Sequence, residues 1–198
     1  MLSIIQAAGW PIWPLILCSI VALALIIERM FQLRDNKLMP PKTLEQALEA
    51  SRRSIPTEDT ILLLEKKGVL GPVLASGLRC LQKNPAASDE DIRAHMEMAG
   101  RLAGRHLERY LTGLGTIASA APLLGLLGTV IGMIEIFAAQ TAGSSQPAQL
   151  AYGISVALYN TAFGLIVAIP ALMFWRYFRS LVDNMLLTME VASEQFAR

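Results

Sequence analysis

Two long apolar runs of this sequence, Leu111–Ala139 and Leu150–Phe178, carry polar side chains in their interiors: Thr129 and Glu135 in the first, Asn160 and Thr161 in the second. A helix that brings such residues into hydrocarbon normally turns them toward other protein or a water path, which suits the working part of a membrane complex. Glu135 is the only carboxylate in either run, and an acid inside a membrane is by default a candidate for function. A second reading stands beside it: Glu135 lies four residues before Ala139, close enough to the end of the run to reach interfacial water. Catalytic alternatives find no support in the residue pattern. His95 and His106 have no Cys or acid at ligand spacing, which excludes a recognisable metal site, and Gly125-Leu-Leu-Gly128-Thr129 lacks the lysine of a phosphate loop. No enzyme activity, cofactor or metal is expected.

The elements that must position these groups are membrane helices. Of 198 residues, 54% are hydrophobic and 17% charged, too apolar for an ordinary soluble domain. The apolar residues fall in three blocks. Each of the two long runs exceeds the ~20 residues that a helix needs to cross a bilayer. The first block, residues 10–27, begins with Trp10 and Trp13 at the height of an interfacial aromatic belt, and its Pro11 and Pro14 fit a first helical turn. Cys18 and Cys80 show no metal or disulfide spacing.

Charge gives the orientation. Fourteen of the 17 Lys and Arg lie between Glu28 and Arg109, and the remaining three, Arg176, Arg179 and Arg198, follow the last span. The positive-inside rule then places the N-terminal residues 1–9 and the turn 140–149 outside, and the segments 28–110 and 179–198 in the cytoplasm. The expected order is a periplasmic N-terminus (1–9), span one (10–27), a cytoplasmic helical region (28–110), span two (111–139), a periplasmic turn (140–149), span three (150–178) and a C-terminal cytoplasmic helix (179–198).

The middle region reads as helices. Thr43-Leu-Glu-Gln46 is a capping-box pattern that opens a helix toward Arg53. A second helix runs from Thr57 through Lys67 to a stop at Gly68, and a third from Gly71-Pro72 to Asn84-Pro85. Ser88-Asp-Glu-Asp91 caps a fourth, with acids where the dipole favours them. No proline follows until Pro122, so one helix can run from Asp89 into span two. With no strand alternation, the protein is all-α. Arg93, Arg101, Arg105 and Arg109, mixed with Glu97 and Glu108, form a solvated face and not a nucleic-acid patch. The tail from Asp183 sets Leu186, Leu187 and Val191 against acids, an amphipathic face for packing on the other cytoplasmic helices.

At about 100° per residue, Gly153, Ala157, Asn160, Thr161, Gly164, Ala168 and Ala171 share one stripe of span three, opposite bulky aliphatics. In span two, Gly125, Gly128 and Gly132 share a face with Glu135, and Thr129 lies at its edge. Small stripes allow helices to approach closely. The same stripes also suit a narrow pore lining with Asn160 and Thr161 as its polar groups. Residue spacing leaves both readings open. Pro122 and Pro170 permit kinks.

Two segments make the sequence recognisable. Ala121-Pro-Leu-Leu-Gly-Leu-Leu-Gly-Thr-Val-Ile-Gly-Met-Ile134 with Phe137, and Gly153-Ile-Ser-Val-Ala-Leu-Tyr-Asn-Thr-Ala-Phe-Gly-Leu-Ile-Val-Ala-Ile-Pro170, resemble the second- and third-span signatures of the MotA/TolQ/ExbB proton channel family, closest to the ExbB/TolQ branch. The resemblance implies a homo-pentamer in the inner membrane. Its central pore holds the helices of a single-span partner of the ExbD/TolR kind, with proton flow by way of a partner aspartate. Thr129 and Thr161 are implied as pore-facing hydroxyls. The implied work is outer-membrane transport through a TonB-like protein; envelope maintenance of the TolQ kind or motility of the MotA kind are alternatives, and a non-conducting scaffold is an alternative of another class. One position departs from the pattern: Val156 stands where ExbB and TolQ carry glutamate, within about 40° of Asn160 on the wheel.

Overall fold

The computed structural model describes residues 9–33, 43–53, 57–141 and 147–196. Every regular element among them is an α-helix: α1 (Ile12–Gln32), α2 (Thr43–Arg53), α3 (Glu58–Glu65), α4 (Leu70–Lys83), α5 (Asp89–Glu108), α6 (Leu111–Thr141) and α7 (Pro147–Phe196). Three helical stretches are long and apolar enough to cross a membrane, one in each of the expected blocks. Most of the expected segment 1–9 and turn 140–149 lie outside the described residues.

The chain forms two compact units. The first joins α1 as far as Arg29, α6 from Tyr110 onward, and α7 as far as Tyr177. Its core is narrow. Leu15, Ala121 and Ala168 are buried against Leu124, Phe163 and Val167. Leu17, Ile20, Leu123, Val130, Ile134, Leu158, Ile166 and Ile169 are instead exposed. In water such a surface would be a liability; in a bilayer, lipid tails cover it. Small residues therefore take the inside and large aliphatics the outside, as membrane helices pack. Pro122 and Pro170 both lie within uninterrupted helices.

The second unit comprises residues 30–109 with Phe178–Arg198. Here the burial pattern is that of a water-soluble bundle. Ile61, Leu64, Val73, Leu74, Leu78 and Met96 are buried on α3, α4 and α5, together with Phe178, Val182, Met185, Met189 and Phe196 on the last turns of α7. Local chemistry sets the helix ends. Ser88 and Asp91 make the full capping box of α5, and the hydrogen bonds from Ser88 hold the Asp91 carboxyl below its ordinary range. Gly68 ends the turn after α3 at φ +62°, a left-handed conformation that glycine adopts without a Cβ penalty. Arg79 clamps α4 to α3 through two bonds to Glu65, 3.1 and 2.8 Å long.

From Asp89 the chain stays helical into span two, a stretch of 50 residues to Ala138, with Arg109 and Tyr110 in turn geometry where α5 gives way to α6. Within the first unit, the Arg29 guanidinium lies 4.8 Å over the Tyr110 ring, where α6 begins. One expectation changes: the tail buries a different stripe. Leu187 and Val191 are 59% and 46% exposed, whereas Val182, Met185, Met189 and Phe196 are inside. The aromatic ring of Phe196 at the end of that stripe packs on α4 beside Gly77, which rotates the buried face away from Leu187.

The start of α4 lies close against the end of α3. A Cβ added at Gly71 would stand 2.1 Å from the Leu64 carbonyl oxygen, an atom that belongs to backbone and cannot swing aside. Gly71→Ala should therefore cost at least about 1–3 kcal/mol, read as a lower thermal midpoint of the purified protein, whereas Gly100→Ala, with nothing within 4 Å, should leave the midpoint unchanged or raise it.

Candidate functional site

The polar residues singled out in the sequence surround one seam, the contact of α6 with the membrane part of α7. The two helices run antiparallel, and the seam is built from residues with little or no side chain. Adding a Cβ to any of the glycines shows how close the backbones come. At Gly164 it would meet the Ala121 carbonyl oxygen at 2.7 Å, and at Gly125 the Asn160 carbonyl oxygen at 2.8 Å and the Gly164 Cα at 3.2 Å. At Gly132 it would meet the Ala157 Cβ at 3.2 Å, and at Gly153 the Ile136 Cγ1 at 2.5 Å. Gly128 faces the Asn160 side chain, whose Cβ would be 2.7 Å away. The structure thus brings Gly125, Gly128, Gly132, Gly153 and Gly164 into one interface.

Close approach puts side-chain hydroxyls within reach of the opposite backbone. Thr161 donates across the seam to the Gly125 carbonyl at 3.3 Å. Thr129 donates within its own helix, to the Leu126 carbonyl at 2.6 Å. In hydrocarbon a hydroxyl must find such an acceptor, and each has one. Both threonines are half-buried, whereas Asn160 is 2% exposed and sits inside the seam. Glu135 is exposed on α6, and Val156 is half-buried on α7.

Helical arithmetic sorts these residues by side. With the seam facing as the glycine contacts place it, and at about 100° per residue, Thr129 and Thr161 flank it on the same side of the hairpin. Glu135 and Val156 flank it on the other, with Asn160 inside the seam and displaced toward them. The hydroxyls and the carboxylate therefore do not form one cluster. Position 156, where the ExbB/TolQ pattern has an acid, opens on the Glu135 side. Glu135 and Val156 differ in height by about one helical turn.

Three features go beyond what the sequence marks. Trp175 packs its indole on Gly115, with Nε1 2.8 Å from where a Cβ would be, at the end of the hairpin opposite Glu135. Arg29, 2% exposed, stacks on Tyr110; the sequence marks Arg29 only as a charge ending span one, and its aromatic partner is 81 residues away. Thr112, Thr116 and Ser119 form an exposed hydroxyl stripe on α6; Thr116 and Ser119 donate back to the carbonyls of Thr112 and Gly115 one turn earlier, which lets them face lipid.

The seam generates a direct test. Gly128→Ala forces a methyl group into Asn160 and should lower the thermal midpoint in detergent by the equivalent of about 1–3 kcal/mol. Gly128→Ala with Asn160→Ala should recover part of that loss, a coupling that independent sites would not show.

Comparison with known proteins adds the following. A family model described as the MotA/TolQ/ExbB proton channel family matches residues 65–191. The chain is 37% identical over 172 residues to "Biopolymer transport protein exbB1" of Vibrio cholerae, covering 84% of this chain and 73% of that one. It is 34% identical over 184 residues to "Putative biopolymer transport protein ExbB-like 3" of Synechocystis, covering 89% and 83% respectively. With "Tol-Pal system protein TolQ" of Haemophilus influenzae it shares 33% over 174 residues, covering 80% and 73%.

Proposed function

The chain belongs to the MotA/TolQ/ExbB proton channel family, and on that premise we propose that the Thr129–Thr161 side of the α6–α7 hairpin borders the proton path of an inner-membrane energy-transducing complex. The protein is a multi-pass membrane protein of the ExbB/TolQ kind, a stator subunit. In our reading it assembles as a homo-pentamer, with the N-terminus periplasmic and the C-terminus cytoplasmic. It surrounds the transmembrane helix of an ExbD/TolR-like partner and drives outer-membrane transport through a TonB-like protein.

The observation that carries this reading is the shared side of the two threonines. The glycines bring α6 and α7 so close that Thr129 and Thr161, from different helices, stand beside one another across the seam. A hydroxyl bonded to a backbone carbonyl can exchange that acceptor for water or for a partner's carboxyl at small cost. The threonine side carries no ionisable side chain of this subunit, so the ionisable group on this path is the partner's aspartate, with the threonines and water relaying to it. Glu135 opens on the other side and serves a separate role at the outer surface. The similarity to a TolQ protein of the Tol-Pal system supports envelope maintenance as the second reading of the output. The third-span residues and the path are the same in both.

The test separates conduction from folding. Thr129→Val with Thr161→Val should abolish proton flux in liposomes that hold the protein with its partner. It should cost no more than about 1 kcal/mol of stability per lost hydrogen bond and leave the oligomer's mass unchanged. Thr161→Ser, which keeps the hydroxyl, should retain flux. Full flux in the double valine variant would refute the assignment, and absence of flux in the wild-type complex would favour a non-conducting scaffold.

A further inference from the structure

The second unit carries a groove and a ridge that its own packing leaves unused. The groove has a volume of about 690 Å³ and lies between α5 and the last turns of α7. Its floor is apolar, with Met96, Leu186 and Met189, and it is bare at Gly100, where an added Cβ would meet nothing within 4 Å. Its two walls have opposite charge. Arg93 and Arg105 line the α5 wall, and Glu190 and Glu194 line the α7 wall. Glu97, Arg101 and Glu108 also line the α5 wall, where Arg101 is paired with Glu97, and Glu108 with Arg179. The four wall residues named first are exposed and make no ion pair among the described residues.

The ridge is on α3. Asp59, Leu62, Leu63 and Lys66 follow i, i+3, i+4, i+7 spacing, so they share one helical face, and all four are exposed. Leu63 is 65% exposed and Leu62 43%, although their helix buries Ile61 and Leu64 on its other side. The ridge thus reads acid, leucine, leucine, base. From Asp59 to Lys66 it spans about 10 Å, close to the 8–10 Å that separates two packed helices.

We propose that the α3 ridge of one copy of this chain docks across the α5–α7 groove of the next, with Leu62 and Leu63 over the open backbone at Gly100, Asp59 toward the α5 wall that carries Arg93 and Arg105, and Lys66 toward the α7 wall that carries Glu190 and Glu194. The two patches are different surfaces of one unit, so the contact is head-to-tail and closes into a ring when the rotation allows. It rests on the homo-oligomer reading above and gives it a cytoplasmic interface. The apolar centre supplies the attraction, and the charged ends set the direction in which the ridge lies, since the reversed orientation would oppose like charges.

Disulfide trapping tests it. Leu63→Cys and Gly100→Cys are placed together in the full chain with Cys18→Ala and Cys80→Ala, and membranes are oxidised before denaturing electrophoresis. The expected result is a ladder of covalent multimers that neither single cysteine gives. Lys66→Glu should weaken it several-fold, and Glu190→Lys with Glu194→Lys should restore it. Leu62→Cys with Gly100→Cys repeats the test if the first pair fails to accumulate. Native mass spectrometry of the same preparations keeps the two ideas apart. An oligomeric mass without a ladder, or a ladder that Lys66→Glu leaves unchanged, overturns this interface alone; a monomeric mass overturns the homo-oligomer reading with it.

Discussion

Everything in the membrane unit depends on how near the backbone of α6 comes to that of α7. A Cβ at Gly164 would stand 2.7 Å from a carbonyl oxygen of α6, and one at Gly125 would stand 2.8 Å from a carbonyl oxygen of α7. Between lipid-facing helices there is no hydrophobic effect to gather them, because lipid tails are as apolar as leucine. Dispersion and hydrogen bonding must do it, and both fall away steeply with distance. Only glycine and alanine allow the separation at which the Thr161 hydroxyl reaches the Gly125 carbonyl across the seam. The stripe of small residues is the condition under which that cross-seam bond can form at all.

The same constraint divides the hairpin into two sides with different chemistry. One carries the threonines, neutral and bonded to carbonyls. The other carries Glu135 and the valine at position 156. A proton path along the first side holds no fixed charge of this subunit, so its rate would be controlled by whatever ionisable group is brought to it. Under the function proposed above, that group would be the partner's. In the second unit the packing is of the water-soluble kind, with buried methionines and a paired Arg79 between α3 and α4.

Much of this was legible in the sequence for plain physical reasons. Three apolar blocks of membrane length, a capping box at Ser88 and a glycine stop at Gly68 are local signals, and each produces the element it predicts. The small-residue stripes were legible as stripes. Their meaning was not, because one helix cannot say what lies opposite it: the pairing of Gly128 with Asn160, or of Gly153 with Ile136, exists only once two helices are set against each other. The same limit hid the Arg29–Tyr110 stack, which joins residues far apart in the chain, and the rotation of the tail, where Phe196 and Met185, not Leu187 and Val191, find the interior. The two-residue turn at Arg109–Tyr110 carries neither proline nor glycine, so it left no local mark.

The central claim is that the threonine side of the hairpin faces protein and water, not lipid. Single cysteines at positions 129, 161, 123 and 134, in a chain lacking Cys18 and Cys80, can be labelled in native membranes with a water-soluble, membrane-impermeant thiol reagent, with and without the single-span partner. The account predicts labelling at 129 and 161 that the partner suppresses, and none at 123 or 134, which lie on the exposed aliphatic face. Unlabelled cysteines at 129 and 161 whether or not the partner is present, or labelling that the partner leaves unchanged, would contradict it.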